Sequence, residues 1–359
     1  MEKFYKYIYM DYKTKYIKYK IYNLESQIGG VVLPKIKGTD DTDKKQASFF
    51  DIKTLENVRL LNKDNAKRMK KPKDCIDSCK CVDFKSTGKN FECEGVCNQY
   101  CKMHTNESII IAIEEWFKNK INATEKYGHI STWDTSNVTN MEGLFGFRKE
   151  FNEDISNWNI SNVENMREMF NGAKSFNQPL NNWNVSNVKN MEGMFQDAKS
   201  FNQPLNKWNV SNVEDMKDMF AKAKSFNQPL NNWNVSKVKY MEGMFQDAKS
   251  FNQPLNDWVV SNVENMTKMF YDAKSFNQPL NNWNVSNVKY MGAMFQDAKS
   301  FNQPLNDWVV SNVENMAGMF VGASSFNQPL NNWNVSNVRN MYGMFSGAYS
   351  MEEKNKPKS

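Results

Sequence analysis

The residues best suited to chemistry are six cysteines and two histidines in a chain of 359. All six cysteines fall in one window, Cys75, Cys79, Cys81, Cys93, Cys97 and Cys101, with His104 just beyond. Zinc sites more often show C-x2-C knuckles, whereas the spacings here are C-x3-C-x-C and C-x3-C-x3-C. On helices the C-x3-C spacing puts two sulfurs on one face, where disulfides could staple two short antiparallel helices. Three readings stay open: a disulfide set, zinc held by some of these thiolates with His104, and free thiols. Disulfides would place the chain in an oxidising setting such as a virion or the extracellular space.

Other chemistry is looked for in vain. The chain has no G-x-x-x-x-G-K-[ST], no G-x-G-x-x-G and no H-E-x-x-H. His129 lies in a repeat and reads as structural, and the many Met read as core filler. Carboxylates such as Glu192 and Asp197 read as solvated charges on a helix face. The expectation is a protein that is not an enzyme and carries no cofactor, zinc at the Cys cluster aside.

The first third holds the net charge. Residues 1–125 carry 24 Lys+Arg against 18 Asp+Glu, and the remainder is balanced. Residues 3–24 interleave Lys and Tyr and end near Gly29-Gly30, which suits either an amphipathic leader or a basic aromatic arm for nucleic acid. The leader is the favoured of the two. Residues 36–74 read as polar linker. The longest apolar run, Ile109 to Ile113, is far too short for a membrane span, and no secretory signal is apparent.

Something must position whatever works here, and that is an internal repeat. From Phe151 the chain repeats every 25 residues as F-N-Q-P-L-N-x-W-x-V-S-N-V-x-x-M-x-x-M-F-x-x-A-x-S, after a degenerate unit around Trp133. Within a unit, Trp183 and Val185 alternate like a short strand, and Val188, Met191, Met194 and Phe195 recur at helical spacing. Ser186-Asn187 would cap the helix. In four units a Ser stands three residues before a Glu (Ser161/Glu164, Ser211/Glu214, Ser261/Glu264, Ser311/Glu314), which reads as a capping box. One unit cannot bury its own Trp, Met and Phe, so neighbours must stack. The expected fold is an α/β repeat: a leucine-rich-repeat-like solenoid of nine 25-residue units, each a short parallel strand plus a helical segment, with a small Cys-rich N-terminal module.

Segments 226–275 and 276–325 are near-duplicates that differ at eight positions, 237/287, 242/292, 243/293, 267/317, 268/318, 271/321, 272/322 and 274/324, all at phases expected to be exposed.

The units resemble those of the BspA-type leucine-rich-repeat surface proteins over about 107–350, and the run Tyr127 to Met141 is similar to that family's opening unit. The resemblance implies a binding or adhesion scaffold without catalytic residues. The Lys/Tyr opening also resembles leaders of proteins from large AT-rich DNA viruses, which would imply host cytoplasm or a virion.

The chain therefore divides into a basic leader (1–35), a linker (36–74), a Cys-rich module (75–104), a capping helix (107–125), the repeats (126–350) and a polar tail (351–359). In the cap, Ile109, Ile110, Ile113, Trp116 and Phe117 share one face. The C-terminal end lacks such a cap and is expected to fray or to associate with another copy. The candidate binding face flanks the tryptophans: Asn182, Asn184, Lys207, Asn209, Asn232, Asn234, Asp257, Val259, Asn282, Asn284, Asp307, Val309, Asn332 and Asn334. Its asparagines either form a side-chain ladder or recognise a ligand. The expected role is a non-enzymatic protein-interaction or adhesion scaffold with an unknown protein partner. The alternatives are a virion-surface component and a nucleic-acid binder working through the basic arm.

Overall fold

The computed structural model describes residues 104–358. The leader, the linker and the cysteines of the Cys-rich module lie outside the described residues. Helix α1 spans Asn106–Lys118 and helix α2 spans Lys120–Tyr127, so the single capping helix expected over 107–125 is two, broken at Asn119. Thr105 starts α1 with a reciprocal Thr105–Ser108 capping box, and the Asn119 side chain caps α2. Ile109, Ala112, Ile113 and Trp116 are buried, while Ile110 and Phe117 are packed at the edge of the same core.

From Trp133 onward the 25-residue units stack in parallel register. One bridge residue per unit pairs with its equivalent in the next, from Asn140 with Asn165 to Asn315 with Asn340, which makes eight bridges. The expected strand and helical segment are absent: no strand and no α-helix lies between Trp133 and Ser350 among the described residues. The leucine-rich-repeat arrangement is corrected accordingly.

The backbone explains why. The N–H groups of Met191, Gly193, Phe195 and Asp197 donate to the carbonyls of Asp215, Lys217, Met219 and Ala221 in the next unit, at 3.0, 2.8, 2.9 and 2.7 Å. The intervening N–H groups of Met194, Gln196 and Ala198 turn back to Met191, Gly193 and Phe195. Alternate donors thus leave the unit, and the rest close tight turns. A helix would need every N–H to bond four residues back. The turns also require a positive φ twice per unit, at Gly193 (60°) and Asp197 (53°). This is the left-handed region that a turn of type II demands at its third residue. Consecutive turns space Met191, Met194 and Phe195 as a helix would, which is how the pattern misleads. Nor does Ser161 start a helix: its N–H is held by the Asn159 side chain in a local turn.

The core phases are those of the repeat. Phe176, Leu180, Trp183, Val185, Val188, Met191, Met194, Phe195 and Ala198 are all buried, and the equivalents in neighbouring units match them. Phe rings form two columns: Phe195 stacks on Phe201 at 4.0 Å and on Phe220 of the next unit at 5.6 Å. Trp rings form a third, with Trp233 on Trp258 at 6.4 Å. Each buried indole N–H needs an acceptor. Trp208 finds it in the Leu180 carbonyl at 2.9 Å, and the bond recurs down the stack to Trp333 on Leu305.

A fourth column is polar. The N–H of Asn202 donates to the Asn177 side-chain oxygen at 2.9 Å, and the Gln203 amide shares that acceptor at 3.2 Å. An asparagine ladder therefore runs at the F-N-Q phase, and beside the tryptophans single inter-unit bonds occur, such as Asn181 to Asn206 at 3.1 Å and Lys207 to Asn182 at 3.2 Å. Of the eight positions that distinguish the duplicated segments, none is an apolar core phase. Gly243 and Gly292 are nevertheless buried, against the expected exposure.

Candidate binding surface

Walking outward from each Trp, side chains alternate between the core and solvent. The fourteen residues Asn182, Asn184, Lys207, Asn209, Asn232, Asn234, Asp257, Val259, Asn282, Asn284, Asp307, Val309, Asn332 and Asn334 are all exposed. Asn184 uses its side-chain oxygen to accept the Ser186 N–H at 3.2 Å, and Asn209, Asn234, Asn284 and Asn334 do the same. These are Asx turns, in which a short amide side chain bonds the backbone two residues on. At the position after each Trp, the asparagine oxygens thus serve their own turns. Val259 and Val309 cannot make this bond, and each stands more than half exposed at 56% and 57%.

Three and five residues beyond the Asn184 phase run two further rows, which include the residues expected to cap a helix. The first holds Asn162, Asn187 and Asn212, whose amides donate to Ser136, Ser161 and Ser186 of the preceding unit at 2.8, 2.7 and 2.8 Å. The second alternates in charge along the stack: Glu164, Lys189, Glu214, Lys239, Glu264, Lys289, Glu314, Arg339. Each cation pairs with the acid one unit before it, at 2.7, 3.0, 3.3 and 3.0 Å. Hydrogen bonds to Glu164 and Glu214 hold the Lys189 and Lys239 ammonium groups above their ordinary range, and Lys239 in turn holds Glu214 low. The four glutamates that read as capping-box residues are the acidic half of this row. The signal was present in the sequence as a sign change every 25 residues at one fixed phase.

Between these rows lie two open recesses of about 480 and 630 Å³. They share Glu214 and Lys237 and so adjoin along the stack, with Asn137 and Lys289 among their lining residues. Their walls are amide groups with Glu164, Glu214 and Glu264 among Lys189, Lys237, Lys239 and Lys289, a slight excess of positive charge. Such recesses suit a polar partner laid along the stack and give no enclosure for a small reactant.

The turn segment carries the strongest electrostatics. Arg167 bridges Glu142, Glu168 and Glu192 at 3.1, 3.1 and 2.9 Å. Burial pushes Asp218 up to about 6, and burial together with the neighbouring Asp272 raises Asp247. Among the described residues no group of three or more His, Cys, Asp or Glu is arranged to hold a metal ion.

Of the disulfide or metal candidates only His104 is among the described residues. It is buried beneath the cap, against Trp133 at 4.8 Å, with its backbone N–H on the Asp134 carbonyl at 2.7 Å. Its Nε2 has no hydrogen-bond partner, and burial lowers its pKa to about 4. His129 is half-exposed, lies edge-on to Trp116 and reaches Glu153 at 3.7 Å. Among the described residues no helix is long and apolar enough to cross a membrane.

A family model described as "Mycoplasma protein of unknown function, DUF285" matches residues 111–225, 181–281 and 257–357 in three overlapping stretches. No curated protein and no solved structure matches the chain.

Proposed function

The chain belongs to the DUF285 family, and on that premise we propose that it is a non-enzymatic interaction scaffold: a solenoid whose side face engages an extended polar segment of a partner protein. The observation that carries this reading is the pair of adjoining recesses between Asn137 and Lys289, whose lining repeats once per unit. A repeated lining adds the same small contacts many times, so affinity grows with the length engaged. The balanced charge of residues 126–359 argues against a polyanion on this face. The resemblance of the units to BspA-type surface proteins supports an adhesive role.

The test uses the full chain as bait beside a variant carrying Lys189→Glu, Lys239→Glu and Lys289→Glu. A partner captured in stoichiometric amount by the first and lost by the second, with unchanged circular dichroism, supports the reading. Equal capture by both contradicts it. Capture of nucleic acid that vanishes when residues 1–35 are removed, with steep salt dependence, would instead favour the basic arm.

A further inference from the structure

The charge row, followed backwards, changes sign at every position. From Glu164 through Lys189, Glu214, Lys239, Glu264, Lys289 and Glu314 to Arg339, acid and base alternate once per 25-residue step. Each cation holds the acid of the unit before it, so the row consists of four ion pairs that all point the same way along the stack. The paired groups stay open to solvent, with the Lys189 and Glu164 side chains 60% and 56% exposed. Each charge therefore keeps an outward surface that its own chain does not use.

We infer that this face pairs with the same face of a second copy, laid antiparallel about a two-fold axis that crosses the stack between Lys239 and Glu264. In that register Lys239 meets Glu264 of the second copy, Glu214 meets its Lys289, Lys189 its Glu314 and Glu164 its Arg339, and the symmetry repeats the four contacts. Every charge keeps the partner it has and gains another of opposite sign, so no ion pair is broken to form the interface. Complementarity of this kind sets register and suppresses the wrong arrangements. A parallel in-register pairing would set like charges together at every position, and so would an antiparallel pairing slipped by one unit. A slip of two units restores the signs but engages fewer positions.

The neighbouring asparagine row breaks its pattern beside this axis. Lys237 stands where the units on either side carry Asn212 and Asn262, and it donates to the Asn212 side-chain oxygen at 2.7 Å. Under the two-fold it faces Asn262 of the second copy, next to that copy's Glu264, which places the extra cation of the recesses against an amide and a carboxylate. Residues 126–359 are balanced in charge, so two copies approach without overall repulsion. The inference shares with the proposed function only the premise that this face binds.

The test follows sedimentation of the full chain under reducing conditions. The native chain should dimerise, and its dissociation constant should rise about tenfold when salt goes from about 0.05 to about 0.5 M. Two variants divide the row by sign. Lys189→Glu, Lys239→Glu, Lys289→Glu and Arg339→Glu together make it acidic, and Glu164→Lys, Glu214→Lys, Glu264→Lys and Glu314→Lys together make it basic. Each alone should sediment as a monomer, and an equimolar mixture should restore the dimer. A second measurement needs no variant. Zero-length carbodiimide coupling should join Lys189 to Glu314, and Lys289 to Glu214, between an isotope-labelled native copy and an unlabelled one; within one stack these residues are too many units apart to be joined.

The inference is overturned if the native chain stays monomeric, if either variant dimerises alone as the native chain does, or if the mixture of folded variants stays monomeric. Cross-links between copies at other positions would overturn it as well. A monomeric chain that still captures a partner through Lys189, Lys239 and Lys289 would overturn the self-pairing and leave the proposed function standing. A dimer with the expected cross-links and no captured partner would do the reverse.

Discussion

The two ends of the stack meet the same problem with different means. At the N-terminal end α1 lays Ile109, Ile113 and Trp116 over the first unit, and the Asn106 side-chain oxygen accepts the N–H groups of Thr139 and Asn140 at 2.8 and 3.0 Å. At the C-terminal end of the described residues, Glu352 and Asn355 continue one polar column, and Lys356 lies over the Phe345 ring of the turn segment. A repeat stack has identical joints, so its ends are where individuality must be supplied. The difference shows that closure here is column by column.

The largest expected effect compares a ring in mid-stack with its equivalent in the last repeat unit. Phe245 stacks on Phe220, Phe251 and Phe270, so Phe245→Ala should cost about 3–5 kcal/mol. Phe345 stacks on Phe320 alone, with Lys356 over its face, and Phe345→Ala should cost less than half as much. Denaturant titration of the two variants checks the ratio, and equal costs would erase the distinction between joint and end.

Next is the cap. Ile113→Ala leaves a cavity under α1 and should cost about 2–4 kcal/mol, with hydrogen-exchange protection lost first in the units nearest Trp133. Loss beginning at the C-terminal units would mean that the cap does not hold its end.

Acid should act on the capped end in particular. The unfolded chain binds a proton at His104 near pH 6.5, whereas burial holds the folded group at about 4. Between those values the unfolded state binds more protons, so stability falls as pH falls through that window. His104→Leu should flatten this part of the profile, measured as melting temperature against pH.

Asp218 works with the opposite sign. Its carboxyl is raised to about 6 by burial, with Lys217 opposing, so the folded state disfavours the ionised form at neutral pH. Asp218→Asn should therefore stabilise the chain modestly at pH 7, by an amount that shrinks as pH falls toward 4. Asn also tolerates the positive φ of 53° at this site.

The smallest effect belongs to the recesses. Lys239→Ala breaks an exposed pair with Glu214 and should change stability by less than about 1 kcal/mol. A loss of several kcal/mol would mean that the row is part of the frame and not a free surface.

What the sequence made legible follows from which physics is written in residue type. Burial is: the Phe, Leu, Trp, Val and Met at the repeating core phases point inward, whereas Val259 and Val309, outside those phases, face solvent. Backbone conformation is written less plainly. The turn segment needs a positive φ at residues as unlike as Gly193, Asp218, Lys268 and Ala293, which share one phase, and only the glycines announce it. Apolar spacing of three and four residues then fits both a helix and a run of turns. The exposure of the positions that flank the tryptophans was legible in their alternation with buried Trp and Val. The charge row was hidden because each glutamate, taken within its own unit, resembled a helix cap; only comparison between units separates the two.

The central claim is that the units are interdependent through their shared ladder and ring columns. Hydrogen exchange resolved by unit, on the full chain carrying Phe245→Ala, tests it most directly. The account predicts that protection falls in the altered unit and in both of its neighbours together, fading with distance along the stack. Loss confined to residues 226–250, with units on either side as protected as in the native chain, would contradict it.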